Sequence, residues 1–241
     1  MNHLCIDQGN TTIKTGVFER DVLAEQTVHN SEKALVEYVK SFRPDHIILC
    51  SVHKNPKSLK KRLENLSKVM LVRYDMPLPF RILYETPQTL GVDRIAGVAG
   101  AQALYPDSNC LIIDAGTCIT FDFIDRESCY HGGGISPGIE MRFRAMHKFT
   151  SGLPFVAPSG QQDLIGNSTT TSMRSGVING TLAELEGIID RYRQLFPDIN
   201  IIICGGNLKF FEKKIKETIF AVPNLVLVGL NKIFNFNVHK D

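Results

Sequence analysis

The sequence predicts an α/β protein assembled from two related halves. The first observation is a repeated motif: Leu4–Phe18 (LCIDQGNTTIKTGVF) and Leu111–Phe123 (LIIDAGTCITFDF) share an apolar strand, Asp-x-Gly, a polar residue and a second strand. The second observation is the likeness of Phe42–Cys50 (FRPDHIILC) to Phe196–Cys204 (FPDINIIIC). Each member of this second pair follows a helical pattern of apolar residues. Two repeats in the same order favour duplication over chance.

The spacing of the repeats predicts where the halves differ. Asp7 and Asp114 of the first pair lie 107 residues apart, whereas the members of the second pair lie 154 residues apart. An insertion of about 47 residues is therefore expected in the second half. The segment 130–176 is rich in Gly, Ser, Thr and Pro, and we place the insertion and its candidate binding loops there. The halves are assigned to 1–110 and 111–241, with no flexible linker between them.

Apolar periodicity predicts the helices. Glu32–Phe42 and Thr181–Phe196 each place apolar residues on one helical face and end next to a β-branched run. The basic run 53–68 has leucines at helical spacing, so a solvated amphipathic helix explains its lysines without nucleic acid.

Composition and charge narrow the class of protein. The formal net charge of +2 is too small to indicate nucleic acid or an acidic membrane as a partner. No apolar run reaches the length of a membrane span, and the start of the sequence lacks the pattern of a secretion signal. The six cysteines form no CxxC pair, so we expect them to be buried and reduced in a cytoplasmic protein. The histidines show no metal-ligand spacing, and His131 and His147 are expected at the surface.

The two Asp-x-Gly turns suit a bound polyphosphate. Glycine lets backbone amides approach a phosphate closely, and the hydroxyls of Thr11 and Thr117 are additional donors. The carboxylates of Asp7 and Asp114 need a bridging cation to reach phosphate, so two related halves facing one cleft would hold a metal-bridged polyphosphate between them. The alternative for the first turn is a plain type I′ hairpin, which Gly-Asn suits well.

A further stretch, Tyr84–Ala101 (YETPQTLGVDRIAGVAGA), contains Gly-x-Asp-Arg before a small-residue helix. Together with DQGNTTIK before it and DAGTCIT and GGGISPG after it, this order resembles the type III pantothenate kinases of the acetate kinase, sugar kinase, Hsp70 and actin superfamily. The resemblance covers nearly the whole chain. It implies a duplicated actin-like (ribonuclease H-like) fold, with two related α/β halves around a central cleft.

The resemblance also implies an activity. The expected reaction is ATP-dependent phosphorylation of the primary hydroxyl of pantothenate to 4′-phosphopantothenate, the first step of coenzyme A biosynthesis. The expected cofactors are Mg²⁺ with ATP and a monovalent cation, K⁺ or NH₄⁺. The expected assembly is a homodimer with the substrate near the subunit interface, with no nucleic acid or membrane as a partner.

The resemblance assigns roles to residues. Asp93 is the expected general base, Asp7 the residue that holds ATP through magnesium, and Asp114 the ligand of the monovalent cation. The expected ATP contacts are Asp7, Gln8, Gly9, Asn10, Thr11, Thr12, Ile13, Lys14 and Thr117. The expected substrate contacts are Tyr84, Gly91, Val92, Asp93, Arg94 and Thr169.

Most of these residues also have a purely structural alternative. Asp93 also suits the N-cap of the following helix, and Lys14 also suits a solvated strand position. Tyr84 suits a half-buried aromatic position, and Thr169 is one of several hydroxyls, at 168–171, that suit a helix cap.

Three other expectations concern the second half. The segment Gly132–Gly138 (GGGISPG) is expected as a tight loop, and Asp122 is expected to face solvent or to end a strand pairing. Cys204 and Asn207 lie at a strand-to-helix junction, where the family more often has Thr and Asp, which puts direct nucleotide contacts there in doubt.

Two other functions remain open from the sequence. One is a binding module without turnover, since some relatives of such kinases act as regulators of transcription. The other is a kinase for a different small hydroxy acid or amide, which only the walls of the pocket would distinguish.

Overall fold

The structure is a computed structural model that describes residues 2–53, 55–160, 163–212 and 214–238. Contacts divide the chain into two compact units. The first unit comprises the described residues within Met1–Ser108, Phe123–Gly132 and Asn224–Asp241, and the second those within Asn109–Asp122 and Gly133–Pro223. The predicted division into halves, 1–110 and 111–241, stays a prediction.

The first unit is built on a five-stranded mixed sheet of order β3-β2-β1-β4-β5. Strand β1 pairs antiparallel with β2 and parallel with β4, so the chain makes a hairpin first and a helical crossover afterwards. The strands are β1 (His3–Gln8), β2 (Ile13–Glu19), β3 (Val22–His29), β4 (His46–Ser51) and β5 (Lys68–Leu71).

Two helices cover this sheet at the predicted positions. Helix α1 (Glu32–Phe42) has the predicted bounds, begins after the N-cap Ser31 and buries Leu35 and Val39. Helix α2 (Pro56–Glu64) comes from the basic run and buries two leucines, as predicted. These apolar side chains join those of β1 and β4 in one core.

The remaining elements complete the chain. After β6 (Arg81–Ile82) and a short 3₁₀ turn (Pro87–Thr89) come α3 (Val92–Leu104), β7 (Cys110–Ala115), β8 (Cys118–Ile124) and β9 (Cys129–Pro137). They are followed by α4 (Ile139–Phe149), α5 (Thr169–Leu195), β10 (Asn200–Cys204), α6 (Leu208–Phe211), β11 (Phe220–Ala221) and α7 (Leu225–Val238).

The second sheet repeats the order of the first. Its order is β11-β10-β7-β8-β9-β6, which contains β9-β8-β7-β10-β11 as the counterpart of β3-β2-β1-β4-β5. The parallel neighbours β7 and β10 correspond to β1 and β4, and they carry the two repeated motifs. The duplicated α/β fold is therefore confirmed at the level of strand order.

Helix α7 brings the end of the chain back to the first unit, where it packs against α3 without intervening side chains. A Cβ at Gly229 of α7 would overlap the backbone of Ala96, and a Cβ at Gly100 of α3 would overlap the carbonyl of Leu225. Both backbones approach closely only because these positions are glycine. Helix α3 carries Asp93 and Arg94 in its first turn, so α7 fixes the element that presents them.

Two expectations for the second half are wrong. Residues 132–137 of the glycine-rich segment lie in strand β9 and do not form a loop. A Cβ at Gly133 would overlap the Phe121 carbonyl, so glycine is present here because β8 approaches closely. Asp122 is 2% exposed and lies inside β8, two residues before its end, so it neither faces solvent nor ends the strand.

Other features bear on the class of protein. No helix in the described ranges combines the length and apolar character that crossing a membrane requires. All six cysteines are free thiols, and all except the partly exposed Cys118 are buried, as expected. His131 and His147 have exposed side chains, as expected.

Candidate active site

The first Asp-x-Gly motif ends in a four-residue turn, Gly9–Thr12, which we call the first turn. It joins β1 to β2, and across its base Asp7 pairs with Lys14 and Gln8 with Ile13. The Gly9 N–H donates to the Thr12 carbonyl at 3.1 Å. None of the four residues, all of which the structure describes, has a positive φ. The type I′ hairpin alternative is therefore wrong, because it needs two residues with positive φ.

The predicted ATP contacts differ in whether their side chains are accessible to a nucleotide. Asn10 and Thr11 have exposed side chains at the tip of the first turn, and Asp7, Thr12 and Lys14 are half-buried. In contrast, Gln8 and Ile13 are only 1% and 6% exposed. These two residues can meet a nucleotide only through backbone groups, because their side chains face the interior.

The start of α3 orients the predicted base. Gly91 is the N-cap residue, Val92 opens the helix and Asp93 follows in its first turn. Oδ1 of Asp93 accepts a hydrogen bond from the Arg94 N–H at 2.9 Å. The N-cap alternative for Asp93 is therefore wrong. A Cβ at Gly91 would lie 2.5 Å from the same Oδ1, so glycine leaves the space that the carboxylate occupies.

Two predicted carboxylates act on one buried thiol. Cys50 lies opposite Asp7 in the β1–β4 pair and is fully buried. Its pKa is held well above the ordinary value, first by burial and then by the negative charges of Asp7 and Asp93. Both carboxylates are therefore close enough to Cys50 to affect it. The first unit thus brings the predicted magnesium residue and the predicted base into one region.

Tyr84 and Arg94 form a second contact in the first unit. The Arg94 guanidinium carbon lies 5.8 Å from the centre of the Tyr84 ring, and Arg94 is only 8% exposed. Gly132 also lies close to this ring: a Cβ there would be 2.7 Å from Cδ2 of Tyr84. The guanidinium of Arg94 and the backbone of Gly132 therefore both restrict the position of the ring.

The second Asp-x-Gly motif is surrounded by glycines of the second unit. Asp114 is half-buried at the end of β7, and a Cβ at Gly205 would overlap its Oδ1. The Gly138 N–H donates to the Thr117 carbonyl at 3.1 Å, and a Cβ at Gly138 would overlap that carbonyl. Thr117 itself is exposed. The sequence analysis missed this use of Gly138, although its place at the end of the glycine-rich segment was a signal.

Asn207 also contacts the second motif. Its backbone N–H donates to the Ala115 carbonyl at 2.9 Å, and its side-chain amide donates to the Gly116 carbonyl at 3.4 Å. Asn207 therefore supports the turn through two hydrogen bonds, of which an ionised carboxylate side chain could not make the second, because it has no N–H to donate.

Thr169 belongs to a different element from the predicted site residues described so far. It is the first residue of α5 and is exposed. The capping role belongs to its neighbours, because Ser168 and Thr171 form a reciprocal capping box. The structure thus leaves the Thr169 hydroxyl out of the cap.

The donor groups also limit the kind of metal that could bind. Within the described residues, no three His, Cys, Asp or Glu side chains form a cluster that could hold a metal ion. The single carboxylates at Asp7 and Asp114 suit hard cations that keep water or take ligand oxygens.

The fold and the two turns define the class of protein first. Solved structures that match nearly the whole chain include a ROK family protein from Streptococcus pneumoniae and component A of the (R)-2-hydroxyglutaryl-CoA dehydratase of Acidaminococcus fermentans, with TM-scores of 0.50 and 0.51 at 12% and 11% identity. Another, from Campylobacter jejuni and described as a Baf family transcriptional activator, has a TM-score of 0.62 at 22% identity, covering 97% of this chain and 98% of that one. These likenesses show the fold alone, which is the actin-like α/β fold predicted above.

Sequence comparison then gives the family. The family model "Type III pantothenate kinase" matches residues 3–191. The type III pantothenate kinases of Cytophaga hutchinsonii and Christiangramia forsetii are 41% and 45% identical to the chain. The first match covers 98% of this chain and 100% of the relative, and the second covers 98% of each. The chain belongs to the type III pantothenate kinase family.

Proposed function

We propose that this protein transfers the terminal phosphoryl group of ATP to the primary hydroxyl of pantothenate and forms 4′-phosphopantothenate, the first step of coenzyme A biosynthesis. Identity of about 40% over the full length of family members supports this reaction. The residue assignments are supported by Cys50: Asp7 pairs with it across β1 and β4, and the charges of Asp7 and Asp93 both raise the pKa of its buried thiol. A phosphate-holding carboxylate and a base must lie near one another for transfer to occur.

Asp93 is the proposed general base. Its Oδ1 is held by the Arg94 N–H, and we assign Oδ2 to the hydroxyl of the substrate. The transition state of phosphoryl transfer is loose, so the hydroxyl needs orientation more than early removal of its proton. A carboxylate fixed by its own helix backbone supplies that orientation. As the new oxygen–phosphorus bond forms, the bond between the γ-phosphorus and the bridging oxygen breaks, ADP leaves, and the hydroxyl proton passes to the Asp93 carboxylate.

Arg94 and Tyr84 are the proposed contacts for the remainder of pantothenate. A guanidinium pairs with a carboxylate through two parallel N–H groups, and pantothenate carries a carboxylate. The contact with the Tyr84 ring restricts the directions that Arg94 can take. Gly91 and Val92 lie at the open end of α3, where they can offer backbone groups. Thr169 is a further proposed substrate contact through its exposed hydroxyl.

The first turn and Thr117 are the proposed contacts for the ATP phosphates. Gln8, Gly9 and Ile13 are proposed to line the site with their backbone, and the Gly9 N–H closes the turn on the Thr12 carbonyl. The side chains of Asn10, Thr11, Thr12 and Lys14 provide donors on the first unit. Their exposure at the turn supports this role for Asn10 and Thr11. In the second unit, the exposed Thr117 is the residue that corresponds to Asn10 in the repeat.

The carboxylates fit the two cations proposed above. Asp7 would hold Mg²⁺, which proteins commonly bind through one or two carboxylates together with the phosphates of the nucleotide. Asp114 would hold the monovalent cation, K⁺ or NH₄⁺. When bound, these cations neutralise negative charge on the phosphates.

A homodimer with pantothenate near the subunit interface is part of the proposal. The second unit exposes large apolar side chains at the end of α4 and before α5: Phe149, Leu164 and Ile165 are 79%, 80% and 84% exposed. Large exposed apolar residues often mark a protein–protein contact, which supports an interface there.

The Asp93→Asn variant tests the assignment of the base. The amide keeps the size of the side chain but cannot accept the proton, so we expect kcat to fall by about 100-fold or more. Mg-ATP affinity, measured by calorimetric titration, and Tm are expected to stay near those of the parent protein. Glu37→Gln is the control, because Glu37 is an exposed residue of α1 paired with Lys40. Turnover near the parent level in Asp93→Asn would remove Asp93 from this role.

A further inference from the structure

We infer that Ser51 and His53, which follow β4, are positioning residues for the first turn. They hold the Gly9–Asn10 peptide in the orientation that binds the ATP phosphates. The inference rests on the proposed function of that turn, and the experiment below separates the two. Neither residue is among the predicted site residues.

The network begins at a buried polar side chain. Gln8 directly precedes the first turn and is 1% exposed. Its Oε1 accepts a hydrogen bond from the Ser51 hydroxyl at 2.7 Å, and its Nε2 donates to Oε1 of Glu32 at 2.9 Å. Burial of an amide is unfavourable unless its donor and acceptor are both satisfied. Both ends of the Gln8 amide are hydrogen-bonded, so this side chain has a structural role and does not contact ATP.

Ser51 extends the network to the chain that follows β4. Its Oγ accepts from the His53 N–H at 3.3 Å, and the neighbouring Val52 N–H donates to the Gln8 carbonyl at 3.2 Å. The connection after β4 is thus attached to the end of β1 by both side chain and backbone. This attachment places the His53 ring beside the first turn.

The His53 ring then contacts the first turn itself. Its Nε2 lies 3.1 Å from the Gly9 carbonyl oxygen. A carbonyl can only accept, so the ring carries its hydrogen on Nε2 and donates it. The outer end of the network is anchored as well, because Arg62 of α2 donates to Glu32 of α1 at 2.8 Å. Two helices and two strands therefore support one carbonyl of the turn.

The orientation of that carbonyl matters for phosphate. The Gly9 C=O and the Asn10 N–H belong to one planar trans peptide, so they point in opposite directions. When His53 holds the carbonyl, the Asn10 N–H is fixed on the other side of the peptide. Glycine permits many backbone conformations, so without His53 this peptide has freedom to rotate. Donors that are already oriented bind an anion without a cost of reorganisation.

The experiment compares His53→Ala with His53→Gln. Alanine removes the donor, whereas the glutamine amide can replace it at the Gly9 carbonyl. Two quantities are measured: hydrogen exchange of the Asn10–Thr12 amides by NMR in protein without nucleotide, and KM for ATP and for pantothenate. His147→Ala is the matched control, because it removes another exposed ring that hydrogen-bonds a backbone carbonyl, that of Leu153.

We expect faster exchange in the turn and a KM for ATP raised about fivefold in His53→Ala, corresponding to one lost hydrogen bond. The KM for pantothenate and Tm should stay near the parent values, and His53→Gln should lie closer to the parent. Unchanged exchange in His53→Ala overturns the inference, and so does faster exchange with an unchanged KM for ATP. If the parent protein does not phosphorylate pantothenate, the proposed function fails, while the exchange measurement still tests the contact between His53 and the turn.

Discussion

At the scale of single residues, Gly132 controls the position of a proposed substrate contact. It has φ of +96°, a conformation that residues with a side chain rarely adopt, and it faces the Tyr84 ring. The ring in turn lies against Arg94. A side chain at position 132 would therefore move two proposed contacts without touching pantothenate.

The Gly132→Ala variant tests this link. Its Cβ would lie 2.7 Å from Cδ2 of Tyr84, so the ring must shift. Overpacking of this kind costs about 1–3 kcal/mol, and we expect KM for pantothenate to rise by about tenfold. KM for ATP should change little, because the first turn is not involved. Steady-state kinetics with each substrate varied in turn measures both constants.

Gly134→Ala is the matched control for Gly132→Ala. It lies two residues along the same strand, and its Cβ would meet Phe121 at an ordinary 3.4 Å. A Gly132→Ala enzyme with the parent KM for pantothenate would show that the Tyr84 ring position does not set substrate affinity.

At the scale of elements, the contact between α3 and α7 determines where Asp93 and Arg94 lie. The two helices approach through Gly100 and Gly229, whose missing side chains allow backbone-to-backbone contact. Most of α3 is fully buried, including Ile95 and Val98. A shift of α7 must therefore move α3, because a close-packed interior transmits displacement.

The Gly229→Ala variant measures the importance of this contact. The new Cβ would overlap the Ala96 backbone, which cannot give way as the end of a flexible side chain can. We expect the free energy of unfolding to fall by about 3 kcal/mol or more. Urea denaturation followed by circular dichroism provides the measurement.

Gly176→Ala is the comparison for Gly229→Ala. Gly176 lies inside α5 and is exposed, and a Cβ there would meet no atom within 4 Å. Alanine should stabilise that helix by about 0.5–1 kcal/mol, since it loses less conformational entropy on folding. Equal effects of the two substitutions would mean that the helix contact adapts at little cost.

At the scale of the whole molecule, local patterns predicted more than long-range contacts. The bounds of α1 and the two Asp-x-Gly turns were predictable because periodicity and turn chemistry act within a few residues. The duplication was visible in the repeats, and the strand orders of the two sheets confirm it. The cytoplasmic location and the boundary at residue 110 stay predictions.

The wrong predictions and the contacts that were not predicted have a physical cause in common. The glycine-rich segment 132–137 is a strand because β8 lies too close for side chains, and a sequence does not display that distance. Asp93 was open to a capping role because the helix start is uncertain by one or two residues. Likewise, the contacts of His53 with Gly9 and of α7 with α3 join residues far apart in the chain.

The most direct test of the account is phosphate transfer from Mg-ATP to pantothenate by the purified protein, run in parallel with K⁺ and with Na⁺ as the only monovalent cation. We expect formation of 4′-phosphopantothenate that depends on K⁺, since Asp114 is the proposed ligand for that cation. Absence of product in both salts, from protein shown to be folded by its circular dichroism, would contradict the assigned activity.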